Sequence, residues 1–74
     1  MQLGIYQHFK GNFYRVISVA RHSETLEEMV VYQALYDHPE RGKNSLRVRP
    51  KQMFLEEVTR DGKIFPRFTF IREE

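Results

Sequence analysis

The chain has 74 residues, 41% of them hydrophobic and 30% charged, with a net charge of +2 at pH 7 and no cysteine. That length leaves room for one small β domain over residues 1–74 and none for a separate catalytic domain, while the missing cysteine excludes disulfides, thiol nucleophiles and Cys-based zinc sites. No apolar run reaches the ~20 residues of a membrane span and Met1-Gln2-Leu3-Gly4-Ile5 is not a signal peptide, so the expectation is a cytoplasmic protein with no membrane partner.

Leu3 to Phe9 and Phe13 to Ala20 are β-prone runs joined by Lys10-Gly11-Asn12, whose Gly and Asn accept the positive φ of a tight hairpin. A three-residue loop with a bulge sets Tyr6 opposite Val16 and His8 opposite Tyr14 on one face, with Ile5/Ile17 and Phe9/Phe13 on the other. Both faces are then partly apolar, which suits a sheet curled on itself better than a flat sheet with one wet side.

Next comes Arg21-His22-Ser23-Glu24-Thr25, five consecutive side chains able to hydrogen-bond. Read as structure it is a turn in which Ser23 or Thr25 caps backbone groups and Thr25 with Glu28 mimics a capping box. Read as chemistry it offers His22 as base, Ser23 as nucleophile, Glu24 as orienter and Arg21 as anion holder. Neighbouring residues point in different directions, whereas catalytic groups converge from separate elements, so no catalytic residue is assigned.

Met29 to Tyr36 is the third strand and reads as central, with Val30, Tyr32, Ala34 and Tyr36 sharing one face. Asp37 to Asn44, containing His38-Pro39 and Gly42, has loop rather than strand chemistry. Ser45 to Arg49 alternates again, with Leu46 and Val48 expected inward and Arg47 and Arg49 outward until Pro50 ends the ladder. Pro50 to Phe54 suits one 3₁₀ turn, Asp61-Gly62 reverses the chain, and Ile64 to Ile71 forms the last strand, with Phe68 and Phe70 on one face. This order predicts an all-β fold, a small, strongly curved SH3-like barrel of five or six strands with one 3₁₀ turn. Six Phe and four Tyr supply its core, because each ring buries a large area for few rotatable bonds.

Five strings also carry a family likeness: Tyr6-Gln7-His8-Phe9-Lys10-Gly11-Asn12, Ala20-Arg21-His22-Ser23-Glu24-Thr25, Val30-Val31-Tyr32, Val48-Arg49-Pro50 with Met53-Phe54, and Pro66-Arg67-Phe68. In this order they resemble a family of short bacterial proteins known as domain of unknown function 1653. The resemblance spans nearly the whole chain and implies a bacterial origin, with no activity attached. The family often carries an aromatic, typically Trp, two residues before its Arg-Pro pair; this chain has Arg47 there and a longer loop before it.

Charge is unevenly placed. Arg41, Lys43, Arg47, Arg49 and Lys51 fall within eleven residues with no acid among them, opposite a cluster of Glu24, Glu27 and Glu28. The segment reads either as a solvated face or as the mark of an anionic partner. Tyr6, Tyr14, Tyr32 and Tyr36 set beside Arg21, Arg47, Arg49 and Arg67 make the pairing that stacks bases and neutralises phosphates. The arginines would alternatively pair with Glu24, Glu27, Glu56 and Glu57. His8, His22 and Glu24 would make an imidazole and carboxylate metal site if the first hairpin and the following loop curled together, though no ligand motif demands it, and no metal or cofactor is assigned. The expectation is therefore a binding module for nucleic acid, a nucleotide or a peptide, with Tyr6, His8, Tyr14, Arg21, His22, Ser23, Glu24, Tyr32, Arg47, Arg49 and Arg67 as candidate ligand-binding residues. The alternatives are a protein-interaction or self-association module, monomeric or weakly dimeric, and a minimal hydrolase using the Arg21 to Thr25 loop.

Overall fold

In the computed structural model, which describes residues 1–74, strands β1 (Gly4–His8), β2 (Phe13–Arg21), β3 (Glu28–Ala34), β4 (Asp37–His38), β5 (Gly42–Lys43) and β6 (Leu46–Pro50) run to a helical turn, α1 (Lys51–Phe54). Strands β7 (Glu57–Arg60), β8 (Lys63–Pro66) and β9 (Phe68–Arg72) complete the chain. The main sheet is antiparallel in the order β6-β3-β2-β1-β9, with β4-β5 and β7-β8 as separate two-stranded ribbons. The fold is thus all-β, as expected, but no ladder joins β6 to β9, so the sheet does not close into a barrel.

Side chains bring the two edges together instead. Phe54 of α1 lies flat on Phe68 of β9, ring centroids 4.0 Å apart and planes 3° from parallel, and meets Tyr6 and Tyr32 edge-on. These rings join Tyr14, Val16, Val30 and Ala34 in one buried cluster, with Tyr36 and Phe70 packed against it. Register shifts between Ile5 and Tyr6 in β1 and between Val16 and Ser18 in β2 supply the local bends and extra twist that a curled sheet needs.

The first hairpin forms in a different register from the expected one. Tyr6 faces Tyr14 and Gln7 faces Phe13, because Phe9 and Lys10 sit in the turn: the Gly11 amide donates to the His8 carbonyl at 2.7 Å. The displacement is two residues, and since strand faces alternate with period two, Tyr6, Tyr14 and Val16 keep their shared, buried face. In β3, Val30, Tyr32 and Ala34 are buried as predicted. Asp37 to Asn44 is not wholly loop: it folds back as the ribbon β4-β5, pairing Asp37 with Lys43 and His38 with Gly42. The turn after Pro50 is α-type rather than 3₁₀, closed by the Leu55 amide on the Lys51 carbonyl at 3.0 Å. Asp61 and Gly62, both at positive φ, make the β7-β8 turn. The expected last strand breaks at Arg67, β8 pairing with β7 and β9 with β1.

The largest departure is β6. Leu46 and Val48, expected inward, are 67% and 64% exposed, whereas Arg47 and Arg49 lie half-buried on the face of the aromatic core. Arginine tolerates this position because its stem is apolar and its planar head packs on rings while reaching water at the open side of the sheet.

Candidate functional site

Two features fix Arg47 and Arg49 on one face: they are two residues apart on a strand, and both pair directly with β3, Arg47 opposite Tyr32 and Arg49 opposite Val30. The Arg47 guanidinium stands 5.6 Å from the ring centres of both Tyr14 and Tyr36 and donates to the Tyr36 hydroxyl at 3.2 Å and, through Nε, to Ser45 Oγ at 3.3 Å. The Arg49 guanidinium lies 5.7 Å from the Phe68 ring centre and donates from Nε to the Tyr32 hydroxyl at 3.3 Å. Neither has a carboxylate partner; the three ion pairs of the molecule are Arg15 with Glu74, Lys51 with Glu28 and Arg67 with Glu56.

The tyrosine hydroxyls mark the boundary between the core and this basic surface. Tyr14 and Tyr36 share a hydrogen bond of 2.8 Å. Burial first, and then that bond, hold the Tyr14 phenol up to about 12. Burial also works to raise Tyr36, but hydrogen bonds from Tyr14 and Arg47 and the Arg47 charge outweigh it, and the Tyr36 phenol is lowered. His8 packs edge-on against Phe68 with centroids 4.9 Å apart; burial, then the positive charges of Arg49, Lys10 and Arg67, lower its pKa. The rings themselves face inward: Tyr14 is 5% and Tyr32 3% exposed.

An open depression of about 570 Å³ runs along β6, lined by every residue from Leu46 to Pro50 and by Tyr32, Arg41 and Met53. Two other depressions, of about 500 and 430 Å³, hold charged groups that already satisfy one another, Arg15 with Glu74 in one and Glu28 with Lys51 in the other.

His8, Tyr14, Tyr32, Arg47 and Arg49 therefore meet in one region through direct ring and hydrogen-bond contacts. Arg67 approaches it through its charge on His8 but spends its guanidinium on Glu56, leaving its buried Nε without a partner. Tyr6 is a core ring whose hydroxyl donates to the Gln2 carbonyl at 2.7 Å. Arg21, His22, Ser23 and Glu24 stand apart, Arg21 closing nine-residue β2 and the other three following it. There His22 Nδ1 accepts the amides of Glu24 and Thr25 at 3.1 and 3.3 Å, Thr25 Oγ1 accepts the Glu27 amide at 3.2 Å, and Arg21 donates to the Leu26 carbonyl at 3.4 Å. The segment is a hydrogen-bonded turn in which the imidazole nitrogen that would serve a base is already an acceptor of backbone amides. Glu28 makes no capping box, being bound to Lys51 at 2.9 Å.

His38 holds its own turn in the same way, taking the Glu40 and Arg41 amides at 3.1 and 3.2 Å, and His8 Nδ1 takes the Lys10 amide at 3.1 Å. The His8, His22 and Glu24 grouping does not assemble, and no cluster of three His, Asp or Glu side chains is placed to hold a metal. No helix is long and apolar enough to cross a membrane.

Leu46 and Val48 belong to the site although they were not among its candidates, and Tyr36 and Arg41, noted with the tyrosines and in the basic run, join it. The sequence signal for Leu46 and Val48 was the Leu-Arg-Val-Arg alternation ahead of Pro50, which marks a short strand stopped at an edge.

A family model described as "Protein of unknown function (DUF1653)" matches residues 4–70. The chain is similar to a crystal structure of a protein of that family from Bordetella bronchiseptica, with a TM-score of 0.87 and 31% sequence identity over all of this chain and 91% of the other. No curated protein matches it. The chain belongs to the DUF1653 family.

Proposed function

We propose that this chain is a binding module whose working surface is the open side of β6, where Arg47 and Arg49 take an anionic group. One observation carries the reading: two half-buried arginine side chains share a face of an edge strand with only hydroxyls and rings as partners and no carboxylate. A charge drawn partly out of water without a counter-ion is costly, and an incoming anion recovers that cost through charge-assisted hydrogen bonds. The planar fork of Arg matches carboxylate and phosphate oxygens alike. Because the tyrosine rings are buried edge-on to one another, the ligand is read through its charge by guanidinium groups, with the rings as their support. We take the curled all-β sheet with its helical turn as a relative of SH3-like folds by analogy alone, and that analogy supports a binding role.

The test is titration of the protein at low salt with inorganic phosphate, a short single-stranded oligonucleotide and an acidic peptide. At least one probe binds, binding falls as salt rises, and the pair Arg47→Gln with Arg49→Gln weakens it at least roughly tenfold, as losing charged hydrogen bonds implies. Arg21→Gln, at the far end of β2, leaves it unchanged. Equal losses in the two variants would place the anion elsewhere or nowhere in particular, and the reading would fail.

A further inference from the structure

We infer that the anionic ligand of this surface is an extended acidic segment of another protein, added as a sixth strand along the free edge of β6; the inference rests on the anion-binding reading above.

The backbone supplies the first argument. The Ala34 amide donates to the Ser45 carbonyl at 2.9 Å, so residues 34 and 45 are a hydrogen-bonded pair of the antiparallel ladder. Alternation then makes Tyr32/Arg47 and Val30/Arg49 the next bonded pairs, and turns the amides and carbonyls of Leu46 and Val48 away from β3. The groove of about 570 Å³ is lined by every residue of β6, together with Tyr32, Arg41 and Met53. A row of unpaired amides and carbonyls in an open groove is a template for a strand.

The side chains say which strand fits. Residues directly opposite one another across a ladder share a face. A segment with acidic residues opposite Arg47 and Arg49 therefore sets its carboxylates beside the two unpaired guanidiniums, with Arg41 adding positive charge in the groove. The residue between the acids shares the other face with Val48 and Leu46, the most exposed pair of neighbouring apolar residues on the sheet at 64% and 67%. The matching pattern is acidic, apolar, acidic. A second copy does not fit: β6 paired antiparallel with β6 of another molecule sets arginines against arginines, and like charges across a ladder are destabilising. Inward charge on an edge strand is a known guard against self-pairing, and here it leaves the edge open to acidic strands alone.

The experiment uses a capped hexapeptide with glutamate at alternate positions and valine between them, a lysine-for-glutamate version, and a version N-methylated at the amides that would face β6. The glutamate peptide binds and slows hydrogen exchange at the Leu46 and Val48 amides. The lysine and N-methylated versions bind at least about tenfold more weakly, since charge and ladder bonds are each required. Val48→Pro removes an outward amide that the β3 ladder does not use and lowers binding of the glutamate peptide by a similar factor; unfolding of the variant is monitored alongside, and if it is not folded the N-methylated peptide decides. Equal binding of the glutamate and N-methylated peptides overturns strand addition. Binding of phosphate or oligonucleotide, sensitive to Arg47→Gln with Arg49→Gln but without response to the peptide, also overturns it and leaves the anion-binding reading standing. If no probe responds to those two substitutions, both fail.

Discussion

Arg47→Met separates what the guanidinium does for the fold from what it does for a ligand. In the folded chain Arg47 loses two cation–π contacts, each at 5.6 Å, and hydrogen bonds of 3.2 Å to Tyr36 and 3.3 Å to Ser45. At a site this open each cation–π contact contributes about 0.5–1 kcal/mol and each hydrogen bond about 0.5 kcal/mol, the low end of its range, all reduced by solvent screening. Methionine recovers part of this, because its thioether keeps contact with the rings for about 0.3–1.5 kcal/mol and no guanidinium is left to desolvate. The net loss is about 1 kcal/mol, a fall in Tm of about 4–8 °C for a domain this small. Thermal and urea unfolding followed by circular dichroism measure it, with phosphate and peptide titrations on the same samples. The reasoning is refuted by a loss of about 3 kcal/mol or more: the guanidinium would then hold the fold, and any binding lost with it would say nothing of a ligand.

Two further outcomes follow from groups around the same core. For Tyr14 the folded phenol is held at about 12 against 10.0 unfolded, so its contribution is complete below pH about 10 and is lost as pH rises toward 12, on the order of 2–3 kcal/mol. The lowered Tyr36 phenol ionises first and offsets part of this. Alkaline unfolding with phenolate absorbance tracks both, Tyr14→Phe flattens the pH dependence, and an unchanged profile in that variant counts against the hydroxyl pair as its source. Gly4→Ala strains a backbone at φ +138° and drives its Cβ into the Arg72 carbonyl oxygen and to 3.0 Å from the Glu73 Cα. The atoms met are backbone, which does not swing aside as the end of a side chain does, so the substitution costs more than about 1 kcal/mol. Gly11→Ala, also at positive φ but with nothing within 4 Å, costs less. If denaturant midpoints fall equally for both, the close approach at Gly4 is not what matters.

Local chemistry made much of the architecture legible. Asp61-Gly62 gave a turn with both residues at positive φ, and Val30, Tyr32 and Ala34 went inward as period-two alternation required. The hairpin slipped by two residues because Phe9, read as a strand residue, is a turn residue; parity protected the assignment of faces, which a slip of one would have reversed. At β6 parity gave the wrong answer. Alternation of Leu and Val with Arg says that the aliphatic residues go in, but Ser45 pairs with Ala34, and the helical turn that follows carries Phe54 into the core. Both are long-range consequences that the local pattern does not contain. The Arg21 to Thr25 segment was misleading for a different reason. Its polar side chains read as possible chemistry, whereas His22 works as the acceptor at the head of a turn, a use repeated at His8 and His38 that composition does not distinguish from a reactive imidazole.

The arginine at position 47 bears on how far the family's fold can specify a ligand. Where the family resemblance implies an aromatic, the guanidinium of this chain packs on Tyr14 and Tyr36, rings on which an aromatic side chain would also stack. Either residue satisfies the core from this position. Only arginine places a positive charge in the groove beside Arg49, so an aromatic in its place alters the surface while sparing the scaffold. Members of the family with an aromatic at this position then present one guanidinium to the groove where this chain presents two, and are expected to bind acidic segments more weakly and with less sensitivity to salt. Arg47→Trp in this chain carries the comparison onto a single scaffold: it retains stability and loses most of the salt-dependent affinity. A variant that retained both would move the source of binding away from position 47 and onto Arg49 and the backbone edge alone.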